Sequence, residues 1–382
     1  MKGVLQLKIT DIKPYIVQAH NDNWVYVKVY TDEGITGVGE CSLETREKTV
    51  VAAVLELKRY LIGKDPLETE KNFYLCFRDE YWGAGCVLTS ALSAVDIALW
   101  DIKGKALNTP VYQLLGGKFR DRVRVYANRW FFGGDTPDKL ARLAEKTVAK
   151  GYTAMKWDPF YKAEGTITPV QLRGVVAQVK ALRDAVGWDV DLLIEGHGRF
   201  NPYTALTIAE ELKPYKPFFF EEPTLPENIK ASALVKARSP IPVASGERWC
   251  TISDFRAAIE GDAIDIAQPD IRVCGGITQL KKIATMCEAS QIPVAPHNIH
   301  GQIGCAATMH VAAATSNILI LEYSVEEIEW KDQLFTHQYK PKDGYMYIND
   351  RPGIGIDFDE EVAARYPFKN ISMVQTLYPS EF

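Results

Sequence analysis

The chain has no CxxC pair, no excess of basic charge and no apolar run long enough to span a bilayer. Its seven cysteines (Cys41, Cys76, Cys86, Cys250, Cys274, Cys287 and Cys305) are scattered and odd in number. That argues against a disulfide framework or a zinc site, and for reduced thiols in a cytoplasm. The 44 Lys and Arg are outnumbered by 49 Asp and Glu, giving a formal charge of −5 and a pI near 5.8. Nothing in that balance advertises a nucleic-acid surface. The opening MKGVLQLKITDIKPYIV alternates apolar and polar residues and lacks the uninterrupted core of a signal peptide. The expectation is a cytoplasmic protein with neither nucleic acid nor membrane as partner.

What is present is material for a large core. The chain is 47% hydrophobic, and its 382 residues exceed one typical domain, which suggests two domains or one large barrel with additions. The first third reads as antiparallel strands (LQLKITDIKPYIVQ, WVYVKVYTDEGITGVGE) followed by helices, with LLGGK at 114–118 as a boundary. Short Val-, Ile- or Phe-rich strands then alternate with amphipathic helices. VRVYAN, YTAMKWD, DLLIE, PFFFEE, IPVASGE, DIAQPD, IPVAPH and ILILE are the candidate strands, and eight of them predict a closed α/β barrel. The expected organisation is an α+β cap over 1–120, a barrel over 121–330, and a segment 331–382 that completes the cap.

In such a barrel, chemistry sits at the C-terminal strand ends. Here those ends carry Glu195, Glu221, Glu247, Asp270, His297 and Glu322, at steps of 26, 26, 23, 27 and 25 residues. One βα unit separates each tip from the next. Glu195, Glu221 and Glu247 then converge from adjacent strands, and their mutual repulsion calls for a counter-ion. Oxygen-only ligands favour Mg²⁺. Asp270 and His297, also on adjacent strands, form a pair in which the aspartate fixes one imidazole nitrogen and leaves the other as a general base. Lys156 ends strand two, as a base or as a cation for an oxyanion, with Asp158 as a possible ion-pair partner. In LLIEGHGRF, Glu195 and His197 share the two-residue alternation of a strand, provided the strand runs that far.

Together SALSAVDIALWDIKGK, YANRWFFGG, MKWDPF, LLIEGHGRFN, FFFEEPTLPEN, ASGERW, DIAQPDIRVCGGIT and APHN resemble the enolase superfamily, in its mandelate racemase-like subgroup. More narrowly the chain resembles aldonate dehydratases of the gluconate, galactonate and arabinonate type. The resemblance implies a (β/α)7β modified TIM barrel under an α+β capping domain, with one Mg²⁺ on Glu195, Glu221 and Glu247. It makes Asp270–His297 the dyad that removes the C2 proton of a sugar acid, D-gluconate as first expectation. Glu322, protonated, would hydrogen-bond the developing enolate oxygen, and His197 would protonate the departing 3-hydroxyl. A lid around residues 20–26 and the segment after Glu40 would choose the substrate. Trp24, Arg46, Trp82, Asp158 and Arg199 are the expected substrate contacts. The family also implies a homo-oligomer, often an octamer.

Two departures narrow the reading. The strand-two KxK pair of racemases and cycloisomerases is replaced by Lys156-Trp157-Asp158, and the first metal position is Glu195 instead of the common Asp. A racemase, epimerase or cycloisomerase on the same fold stands as the alternative, and a non-catalytic sugar-acid-binding protein as a third.

Overall fold

The structure is a computed structural model and describes residues 7–19, 22–78, 81–82, 85–160, 163, 165–299 and 301–371. Alternating sequence at the start folds into a three-stranded antiparallel sheet, β1 (Ile9–Ala19), β2 (Asp22–Thr31) and β3 (Thr36–Glu40). Helices Glu47–Leu61, Thr69–Arg78 and Cys86–Ala106 pack on it, and their apolar faces share one core with the sheet.

The barrel follows. Its parallel strands are β4 (Arg122–Asn128), β5 (Ala154–Trp157), β6 (Asp191–Glu195), β7 (Phe219–Glu221), β8 (Val243–Ser245), β9 (Ile266–Ala267) and β10 (Leu321–Ser324). Their order is β10-β4-β5-β6-β7-β8-β9, and single parallel bridges, Ala267↔Val294 and Val294↔Ile318, close the ring. IPVAPH, expected as a full strand, contributes only bridges. Pro293 and Pro296 lie within it, and neither has an N–H to donate to a ladder. Pro269 shortens DIAQPD for the same reason. The helices after β4, β5, β6, β7 and β8 each open on a cap, with Thr136, Thr168, Asn201, Asn228 and Thr251 accepting a backbone N–H. Sharp helix starts define where each strand-to-helix loop ends.

Inside the ring, Tyr126, Ala154, Leu193, Phe219, Ala244, Ile266, Ala295 and Ile320 form one buried apolar layer. Two residues further along, the same face carries Asn128, Lys156, Glu195, Glu221, His297 and Glu322. The offset lengthens to three at Glu247 and four at Asp270, where Gly246, at φ 144°, and Pro269 break the alternation.

The cap is tied to the rest by buried carboxylates that accept main-chain N–H groups. Glu40 takes those of Gly301 and Gly304, both at 2.9 Å. Asp96 takes that of Thr278 at 2.9 Å, and Asp101 that of Ile354 at 2.9 Å. The C-terminal segment runs between both bodies. β11 (Tyr345–Tyr347) pairs antiparallel with β4, after which Glu360 meets Tyr15, Tyr30 and Lys28 of the cap sheet. Asn23 exchanges two hydrogen bonds with the main chain of Lys369.

Candidate active site

Glu195 and Glu221 face each other in register across β6 and β7, and Glu247 follows β8. One oxygen from each lies within 4.8 Å of the others. The first two are buried and Glu247 is half-buried. Lys156 Nζ stands among them, 2.8 Å from both Glu221 oxygens, 3.1 Å from Glu195 and 3.0 Å from Glu322. Burial and the charge of Glu195 push the Glu221 carboxyl well above the usual carboxylate range, against the pull of Lys156. One ammonium therefore does not offset these acids. The donor set is all oxygen, buried and over-charged, and it fits a hard divalent cation.

The stretch after β6 is laced to the stretch after β7. Gly196 N–H donates to Glu221 O at 2.8 Å, and Gly198 N–H to Glu222 O at 2.7 Å. A methyl at position 196 would lie 2.7 Å from Glu222 O, so a side chain there would pry apart the strands carrying two of the acids. β6 ends at Glu195, however, and the strand alternation does not reach His197. That residue turns into the left-handed region at φ 48°, where its N–H donates to Glu195 Oε1 at 2.8 Å. The turn, instead of an extended strand, presents the imidazole at the rim. Its Nδ1 is 2.8 Å from Asp158 Oδ2, which also receives Arg199 at 2.6 Å. Asp158 and Arg199, expected at the substrate, thus hold His197 from behind. Burial opposes charge on this ring, but Glu195 and Asp158 outweigh it and push its pKa up to about 9.

Opposite lies His297. Its Nδ1 is 2.7 Å from Asp270 Oδ2, and its Nε2 is 3.0 Å from Glu247 and 3.6 Å from Glu322. Burial opposes charge here too, while Glu247 and Glu322 raise the pKa to about 10. Glu322 is fully buried beside this pair. Lys156, the Asn128 amide at 2.7 Å and the Asn298 N–H at 2.9 Å all donate to it. Burial raises its pKa, while Lys156 and His297 pull the carboxyl below its ordinary range.

The expected lid residues differ in burial and neighbours. Trp24 is buried in the core, its ring edge-on to Trp330 at 5.7 Å, because its place in β2 points it inward. Arg46 is exposed and donates to Thr45 O at 3.0 Å. Trp82 is 78% exposed beside Tyr81. His20 and Asn21 of the lid lie outside the described residues, while Asp22 is held by Arg129 at 2.5 Å. Two residues at the site had not been singled out from the sequence. Asn128 lies two residues beyond Tyr126 in the inward phase of β4, so the alternation could have found it. Arg272, whose N–H and Nε both donate to Asp270 Oδ1, has no such signal.

Under an α+β cap, the barrel thus gathers three acids able to hold a metal ion and two aspartate-held imidazoles, groups suited to proton transfer. Two family descriptions divide the chain between them. "Mandelate racemase / muconate lactonizing enzyme, N-terminal domain" matches residues 8–116, and "Enolase C-terminal domain-like" matches 139–362. The chain belongs to the enolase superfamily, in its mandelate racemase-like subgroup. It is 36% identical over 366 residues to a D-gluconate dehydratase of Thermoproteus tenax, covering 94% of this chain and 74% of that one. It is 35% identical over 362 residues to a D-galactonate dehydratase of Pectobacterium atrosepticum, covering 93% of each. Among solved structures, a member of the enolase superfamily from Salmonella Typhimurium superposes with a TM-score of 0.90 at 33% identity, over 94% of this chain and 98% of that one. Among the described residues, no helix is long and apolar enough to cross a membrane.

Proposed function

We propose that this enzyme is a Mg²⁺-dependent hydro-lyase of a sugar acid, with D-gluconate the first candidate and galactonate, xylonate and arabinonate next. The observation that carries this reading is the pair of aspartate-held imidazoles, His297 on Asp270 and His197 on Asp158, at 2.7 and 2.8 Å. Dehydration needs a base for one carbon and an acid for the oxygen on the next. Epimerisation needs two groups on opposite faces of one carbon. Lys156, its ammonium engaged by three carboxylates, is poorly placed to be the second base. The names of the relatives support the same substrate class.

Glu195, Glu221 and Glu247 would hold the Mg²⁺, which supplies positive charge to the substrate carboxylate as that group becomes more negative. Asp270 fixes the His297 tautomer; with Glu247 drawn to the cation, the carboxylate charge that raises this imidazole's pKa would be offset, leaving Nε2 to take the C2 proton. Lys156 adds a fixed positive charge beside the developing oxyanion. The C2 electron pair then forms the C2–C3 double bond as the C3–O bond breaks. Hydroxide is a poor leaving group, so His197 passes its proton to that oxygen and water departs. The enol tautomerises to a 2-keto-3-deoxy acid.

The test is incubation with Mg²⁺ and a panel of five- and six-carbon aldonates in D₂O. A 2-keto acid trapped by semicarbazide is the expected result. Deuterium entering C2 without any keto product would replace dehydration by epimerisation.

A further inference from the structure

We propose that Arg272 is a positioning residue for the base, setting the Asp270 carboxylate against His297 and joining that pair to the cap. The inference rests on reading His297 as the base. Asp270 has one bond to the imidazole and three to Arg272. The N–H at 2.8 Å and Nε at 3.0 Å donate to Oδ1, while Nη2 meets the same Oδ2 that receives His297 Nδ1. The final torsion of an aspartate is soft, with a broad range of rotations. A single bond to a ring that must itself stay oriented would leave that rotation loose. A planar guanidinium that grips both oxygens removes the slack.

Arg272 is itself held. It is almost fully buried, and its Nη1 donates to Ser42 O at 3.3 Å. Ser42 Oγ donates to Glu40 Oε1 at 3.1 Å, and Glu40 accepts the N–H groups of Gly301 and Gly304, just beyond His297. A methyl at Gly304 would come within 3.1 Å of Arg272 Cδ and 3.4 Å of Glu40 Oε2, so the arginine stem has no spare room. The tip of β3, the loop after Asp270 and the segment after His297 thus share one buried polar cluster. Burying a guanidinium is unfavourable, and an apolar side chain would fill this space with less desolvation. What the arginine adds is direction.

The test compares Arg272→Lys and Arg272→Met with the native enzyme, using the aldonate turned over fastest, protonated or deuterated at C2. For Arg272→Lys, which keeps the charge but loses the fork, kcat should fall about 10- to 100-fold with KM changed less than about 3-fold. The deuterium isotope effect on kcat should rise as proton removal becomes slower. Glu40→Gln should show the same signature, weaker. Loss of activity that only follows the folded fraction in thermal melts, or an unchanged isotope effect, would overturn the proposal. A substrate-free measurement separates it from the functional reading. The downfield proton resonance of His297 Nδ1–H, assigned by its disappearance in His297→Asn, should shift in Arg272→Lys. A resonance left in place refutes positioning, even if no aldonate proves to be a substrate.

Discussion

The two inward layers of the barrel, two residues apart on most strands, obey opposite physics. The lower layer of Tyr126, Leu193, Phe219, Ile320 and their neighbours is apolar and closed. The upper layer holds Lys156, Glu195, Glu221, His297 and Glu322, all buried, with more acid than the protein's own cations offset. One step of the pleat separates what stabilises this protein from what burdens it. Stability and chemistry are therefore divided by level and not by domain, and each level can be attacked alone.

The hardest test of that division is His297→Asn. Removing the base should lower kcat by about 10³-fold or more while leaving the thermal melt near native, as checked by keto-acid formation and calorimetry. The mirror experiment is Phe219→Ala, whose ring packs edge-on to Tyr126 at 6.2 Å. It should cost about 3–5 kcal/mol in denaturant unfolding while the folded fraction keeps most of its kcat. Activity collapsing ahead of unfolding would erase the distinction between layers.

Away from both layers, His310 accepts the Tyr112 N–H at 3.3 Å, and burial lowers its pKa to about 4. The unfolded chain then binds the extra proton between pH 4 and about 6.5, so stability rises with pH across that window. His310→Gln should flatten that part of the profile, by about 2–3 kcal/mol end to end. The smallest effect sharpens the comparison most. Glu221→Gln should abolish the melting shift produced by Mg²⁺, yet raise the melting point of metal-free protein by about 1 kcal/mol equivalent. A lower metal-free melting point would mean that Lys156 already balances the upper layer.

The upper layer was legible in sequence because one βα unit has a nearly constant length, so tips recur in phase. Glu195, Glu221, Glu247, Asp270, His297 and Glu322 needed only that regularity. What pattern could not supply was direction beyond the strand. Asp158 and Arg199 are expected at the substrate, whereas the structure pairs Asp158 with both His197, in its left-handed turn, and Arg199. Trp24 is expected in the lid only through the family resemblance, and its ring partner Trp330 lies 306 positions away in the chain. Arg272 sits after a Pro-Asp step like any solvated loop arginine. Its role depends on the tip of β3, 230 residues distant in sequence.

The seam between cap and barrel has an evolutionary consequence. Glu40, Asp96 and Asp101 supply the side chains, and the other face answers largely with peptide N–H groups, which opposite Glu40 come from two glycines with no room for a side chain. Both faces of this seam are therefore constrained, the cap by its three acids and the face opposite Glu40 by Gly301 and Gly304. A chimaera that grafts a relative's cap onto this barrel should seat wherever those three acids are kept. A cap exchanged between relatives therefore has to carry the same three carboxylates, whatever else in it changes.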